Sequence, residues 1–193
     1  KVRPVVSKVH VRVLDTCGTG GDNSGTFNIS TAVAFVAAGA GAPVAKHGNR
    51  SVSSRCGSAD VLRELGVNIE APAETVGRCL DAAGICFIFA PMFHPAMKYA
   101  IGPRREIGIR TVFNMLGPLT NPAGAVCQLL GVYNPSLTSV MAGVLARLGS
   151  RKAYVVHGHG GLDEIALSGP SSVARLDSGQ VDQMVLDPED YGM

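Results

Sequence analysis

The sequence is short of charge: Asp, Glu, Lys and Arg supply 17% of its 193 residues, and the formal net charge is only +2. It has no block of five or more basic residues, so charge leaves no footprint for nucleic acid. It has no C-x-x-C pair either. Cys17, Cys56, Cys79, Cys86 and Cys127 are scattered and odd in number, which argues against a disulfide framework and for a reduced, cytoplasmic compartment. Nor is there a membrane span: residues 29–45 come nearest, but they are mostly Ala, Gly and Val and contain Pro43. They read as a buried helix followed by a strand. Internal repeats, low-complexity tracts and a signal-peptide pattern are also missing from the sequence. What is present is a chain 46% hydrophobic, enough for one folded domain with a sizeable core.

The apolar pattern alternates along the chain. "VHVRVLD" (9–15) reads as a strand, and "NISTAVAFVAAGAGA" as a helix with capping chemistry at its start. "PVAKHGN" gives a short strand and loop, "SADVLREL" and "AETVGRCLDAAG" two helices, and "ICFIFA" a strand. A region punctuated by Pro and Gly follows (91–122). Then come a strand at "VCQLLGVY", a helix at "SLTSVMAGVLARLG" and a strand at "KAYVVHG". Alternation of this kind implies an α/β fold, a mostly parallel sheet with helices on both faces. The tail "SSVARLDSGQVDQMVL" reads as a C-terminal hairpin.

In such a sheet, ligands bind beyond the carboxyl ends of the strands. "DTCGTGGDNSGTFNIST" (15–31) stands there, with Gly18, Gly20, Gly21 and Gly25 between a strand and a helix N-terminus. Glycine lets main-chain N–H groups reach an anion, and the helix adds its partial positive end, so a phosphate is the natural ligand. Two standard phosphate motifs fail. G-x-G-x-x-G would need Gly where Asn23 stands, and the Walker pattern would need Lys where Thr26 stands.

"KHGNRSVSS" (46–54) places cations, an imidazole, an amide and hydroxyls at the end of the second predicted strand, which suits phosphate and ribose oxygens. "HGHGGLDE" (157–164) sets Asp163 beside Glu164 after the strand "AYVV". Adjacent carboxylates are hard ligands for Mg2+ beside substrate phosphates. His157 and His159 raise zinc as the rival, but His-x-His beside a carboxylate is a loose match, and phosphate favours the harder ion.

"GTGGD", "TFNISTA", "KHGNRSVSSRCGSADVLRELG", "FAPMFHPAMK", "RREIGIRTVFNMLGPLTNPA" and "GLDE", in this order, resemble the anthranilate phosphoribosyltransferases of tryptophan biosynthesis over nearly the whole chain. The resemblance implies a nucleoside phosphorylase/phosphoribosyltransferase-like fold in which residues 1–193 are the catalytic α/β domain. It also implies truncation at both ends, because the family carries a preceding helical domain, through which it forms homodimers, and further sequence after this stretch. The implied reaction transfers the phosphoribosyl group of 5-phosphoribosyl 1-diphosphate to the amine of anthranilate and releases diphosphate, with Mg2+ present.

Carried over by position, Gly18, Gly21, Asp22, Thr26, Asn28, Ile29, Ser30 and Thr31 would hold the donor. Lys46, His47, Gly48, Asn49, Arg50, Ser51, Val52, Ser53, Ser54 and Ser58 would complete its site. Ser30, Asp163 and Glu164 would take the metal. Gly18, Asn49 and Arg104 would contact anthranilate, Arg104 as a fork to its carboxylate with Arg105 as its rival, and His47 would line the acceptor side. Lys46, His47 and Arg104 are thus the expected catalytic groups. Two alternatives stay open: a pyrimidine nucleoside phosphorylase-like glycosyl transfer, which would need no acidic pair, and a non-catalytic nucleic-acid-binding relative, which would need a basic face. Neither nucleic acid nor a membrane is an expected partner.

Overall fold

The computed structural model describes residues 2–8, 12–20, 25–50, 56–107, 109 and 111–193, leaving the side chains of residues 101, 104 and 105 outside that description. In chain order the elements are β1 (Leu14–Gly18), α1 (Ile29–Gly39), β2 (Val44–Gly48), α2 (Ser58–Glu64), α3 (Ala73–Ala83), β3 (Ile85–Phe89), α4 (Ala90–Phe93), α5 (Lys98–Ile107), α6 (Phe113–Leu116), β4 (Cys127–Gly131), α7 (Leu137–Arg147), β5 (Lys152–His157), β6 (Ser171–Asp177) and β7 (Gln180–Leu186). The strands form one sheet in the order β3-β2-β1-β4-β5-β6-β7. β1 to β5 pair in parallel, and the β6–β7 hairpin continues the sheet antiparallel. Chain order reverses direction across the sheet at β1, so β1 and its neighbours β2 and β4 line the crevice where such sheets place ligands.

Sequence alternation decides what each face carries. Thr16, Lys46, Phe87 and Phe89 point to one face, which α1 and α2 cover: Thr16 Oγ1 donates to Ser30 O at 2.9 Å, and Phe89 packs with Ala59 and Leu62. Asp15, Cys17, Ala45, His47, Cys86, Ile88 and Leu130 point to the other, which α3 and α7 cover. There Leu80, Ile88, Leu130 and Val155 are fully buried. Each apolar side chain of that size contributes about 1.5–3 kcal/mol by leaving water.

Two boundaries differ from the sequence expectation. The first strand begins at Leu14 and runs to Gly18, while residues 9–11 of the expected strand lie outside the described residues. Polar Asp15 and Thr16 are inside the strand because β4 pairs with all of it, from Leu14↔Cys127 to Gly18↔Gly131. Across the stretch 91–122 the described residues form the short helices α4, α5 and α6 and two 3-10 turns, with Pro103 in the interior of α5. Proline hid them from a reading based on apolar period. All five cysteines are free. Among the described residues, no helix is long and apolar enough to cross a membrane.

Candidate active site

The carboxyl ends of β1, β2 and β4 carry a polar cluster on each face of the sheet. Lys46, in β2, is almost wholly buried. Its Nζ donates to Thr16 O and, at 3.0 Å, to Ser30 Oγ at the start of α1. Burial pulls its pKa down, and Asp15, Cys17 and Glu164 oppose that pull. The next carboxylate along is Glu164, whose Oε1 accepts the Ser30 N–H at 3.1 Å. A carboxylate thus stands at the N-terminus of α1, where the main-chain N–H groups and the helix dipole favour negative charge. Asp163 Oδ2 accepts the Gly20 N–H at 2.8 Å, tying the glycine loop to the loop after β5.

That tie explains two glycines. A Cβ on Gly18 would lie 2.5 Å from Asp163 Oδ2, and one on Gly131 only 1.5 Å from Asp163 O. The ends of β1 and β4 are bare so that the acidic loop can lie against them. Gly131 was not singled out from the sequence, and only the "LLG" ending of the apolar run at 129–131 hints at it.

On the opposite face, His47 Nδ1 lies 3.2 Å from Gly117 O, and His47 Nε2 lies 3.1 Å from His94 Nε2. Burial lowers the His47 pKa to about 4; the Gly117 bond opposes the shift and Lys46 adds to it. The ring is therefore neutral at pH 7. Since Gly117 O can only accept, Nδ1 carries the proton and Nε2 a lone pair. His94 Nε2 consequently donates to His47 Nε2. His94, at the end of α4, was missed as a site residue although it lies within the quoted "FAPMFHPAMK". The segment 117–123 is fastened beneath this pair by Gln128 Nε2 to Pro118 O at 2.7 Å and Asn121 Nδ2 to Ala45 O at 2.8 Å.

The remaining expected residues divide. Asn28 donates to Cys56 O at 3.4 Å, and Ser58 Oγ to Asn49 O at 3.4 Å, which draws the loop after β2 toward the start of α1. Gly48 allows Ser58 to sit close, since its Cβ would be 2.5 Å from Ser58 Oγ. Ile29 opens α1, and Thr26 lies exposed just before it. Thr31 turns inward, buried, with no partner for Oγ1 among the described residues. Arg50 is directed away, its guanidinium 5.7 Å above the Phe89 ring and 4.0 Å from Glu70. Gly21, Asp22, Ser51, Val52, Ser53 and Ser54 lie outside the described residues, as do the side chains of Arg104 and Arg105 on α5.

For the cation, Ser30 Oγ and the two carboxylates offer oxygen donors only, which suits Mg2+. For zinc the structure offers less. His157 Nδ1 is engaged with Val132 O at 2.8 Å, and no group of three or more His, Cys, Asp or Glu side chains is placed to hold a metal among the described residues.

The switch-point strands of a mostly parallel sheet thus bring a buried lysine, the N-terminus of α1 and a carboxylate pair to one face. The chain is a member of the glycosyl transferase family, matching its a/b domain over residues 10–193. Within that class it is 65% identical over 184 residues to the anthranilate phosphoribosyltransferase of Moorella thermoacetica, which covers 95% of this chain and 54% of that relative. The crystal structure of anthranilate phosphoribosyltransferase from Thermus thermophilus matches 100% of this chain and 56% of its own, with TM-score 0.91 and 49% identity. The enzyme from Saccharomyces cerevisiae in complex with PRPP and Mg matches 99% of this chain and 53% of its own, with TM-score 0.85 and 33% identity. The chain spans about half the length of the relatives it matches.

Proposed function

We propose that this chain carries the catalytic domain of an anthranilate phosphoribosyltransferase, moving the phosphoribosyl group of 5-phosphoribosyl 1-diphosphate to the amine of anthranilate. The observation that carries this is the two-sided end of β2. Lys46 turns to the face holding Ser30, Asp163 and Glu164, while the adjacent His47 turns to the face holding His94. A strand end with a phosphate side and an aromatic-amine side suits a transfer between two such substrates. The yeast relative's complex with PRPP and Mg supports the donor side.

The arylamine is neutral near pH 7 and needs no prior deprotonation. The barrier lies in breaking the bond from ribose C1 to the diphosphate oxygen, after which C1 bonds to the amine nitrogen and that nitrogen loses a proton. Lys46 and the positive end of the α1 dipole stabilise the charge of the leaving diphosphate. Mg2+, held by Ser30, Asp163 and Glu164, would supply further neutralisation of the diphosphate. On the other face His47 offers a lone pair at Nε2 to an amine N–H once His94 gives way, and Arg104 is the anchor we assign to the acceptor carboxylate. A homodimer in the cytoplasm belongs to the same proposal.

The test is the loss of anthranilate fluorescence in the full-length gene product on adding donor, with and without Mg2+. Lys46→Ala and Asp163→Asn should each slow it about 100-fold, the scale for losing one preorganised charge contact. No donor-dependent loss, or variants within about twofold of wild type, would overturn the assignment.

A further inference from the structure

Neighbouring strands of a parallel sheet normally exchange evenly spaced main-chain hydrogen bonds along their length. β2 and β3 do so from Val44↔Ile85 to Gly48↔Phe89, and β1 and β4 from Leu14↔Cys127 to Gly18↔Gly131. Between β1 and β2 the pairing stops at Leu14↔Val44. Beyond that point two side chains replace the ladder. On one face Lys46 Nζ donates to Thr16 O. On the other, the His47 N–H donates to Asp15 Oδ1 at 3.1 Å. The central seam of the sheet is therefore held, at the end where the site lies, by an ammonium on one face and a carboxyl group on the other.

Asp15 is completely buried, and its Oδ2 makes no hydrogen bond among the described residues, although the Asn121 amide stands close enough to favour the charged form. Burial raises its pKa to about 6 against the combined pull of Asn121, Lys46 and the amides of His47 and Thr16. The groups on its face of the sheet are His47 of β2, Cys17 of β1, Cys86 of β3 and Asn121 of the 117–123 segment, and the Lys46 ammonium acts on it from the opposite face. A buried carboxyl group with one oxygen unpaired is costly, and an apolar residue would serve packing better.

We propose that Asp15 is a positioning residue for the transfer site: its carboxyl group takes the place of the missing ladder acceptor at the His47 amide and so fixes the His47 ring on the acceptor face. The effect reaches the substrate through His47, and it rests on the function proposed above. Asn at this position retains a carbonyl oxygen for the amide, whereas Ala leaves the amide without a partner.

The experiment combines steady-state kinetics and selective 15N-histidine NMR on the full-length protein. Asp15→Ala is expected to lose about tenfold or more in kcat/KM for anthranilate, the scale of one hydrogen bond to a charged group. The loss should fall on KM for the acceptor, with KM for the donor within about twofold and Asp15→Asn recovering to within about threefold of wild type. Asp15→Ala equal to wild type, Asn no better than Ala, or a loss shared equally by both substrates would overturn the role. In the spectra, the wild-type His47 amide should titrate with a midpoint near pH 6 and cease to do so in Asp15→Asn. An amide that is flat in wild type, or titrates alike in both, also overturns it. Wild-type protein without turnover would sink the proposed function alone, and the amide titration then decides the Asp15–His47 bracket independently.

Discussion

His94 Nε2 and His47 Nε2 lie 3.1 Å apart, with the ring centroids 5.0 Å apart and the planes tilted by 50°. Only one proton fits between the two nitrogens, and the Gly117 carbonyl on the far side of His47 determines that His94 supplies it. The pair is thus a polarised one, with its remaining basic site at His94 Nδ1.

Nitrogen-15 spectra of the imidazoles should show this directly. At pH 7 His47 should be the neutral Nδ1–H tautomer and stay neutral down to about pH 4, where burial has moved its pKa. His94 should be the Nε2–H tautomer, with its pKa below the ordinary histidine value because of burial and then His47. A His47 that gains its proton near pH 6.5 would contradict the geometry.

Gly131→Ala should be severely damaging, because its Cβ would sit 1.5 Å from Asp163 O and no flexible tip is there to move. We expect a stability loss of about 2–3 kcal/mol, or a displaced acidic loop with turnover lost. Gly143→Ala, inside α7 with nothing within 4 Å of its added Cβ, should be neutral or stabilising by up to about 1 kcal/mol. Chemical unfolding of the two variants side by side tests the contrast.

Asp15 and His47 pull stability in opposite directions with pH. The Asp15 pKa rises on folding from 3.8 to about 6, so its contribution is complete below pH 3.8 and is lost as pH rises through 6. The His47 pKa falls from 6.5 to about 4, so its contribution is complete above pH 6.5 and is lost as pH falls through 4. Between pH 4 and 6 the two nearly cancel. Asp15→Asn removes one side of the balance. Acidification from pH 6.5 to 4 should then cost that variant about 3 kcal/mol more than it costs wild type, at 1.36 kcal/mol per pKa unit. Parallel stability curves for the two proteins would show that Asp15 does not titrate in that window.

Much of the architecture was legible because parallel strands buried on both faces give short apolar runs, such as "ICFIF" in β3, flanked by helical periods. The three clusters were legible for a related reason: "GTGG" and "KHGN" stand at the ends of β1 and β2 and "LDE" follows β5, and each departs from the apolar pattern of its strand. Other features left no local trace. His94 meets its partner 47 positions away, and one histidine just past a short helix has no period to betray it. Asp15 looked like the last residue of a strand, whereas β1 carries on to Gly18 and buries it at the centre of the sheet. The bareness of Gly131 has meaning only once Asp163, distant in sequence, lies against it.

The most direct test of the two-faced site is a crystal structure of the full-length protein with 5-phosphoribosyl 1-diphosphate and Mg2+. The diphosphate should lie against the start of α1, within hydrogen-bonding reach of Lys46 or the Ser30 amide, with the metal on Asp163 or Glu164 and the ribose C1 open toward His47. A diphosphate bound on the His47–His94 face, or away from the carboxyl ends of β1 and β2, would contradict it.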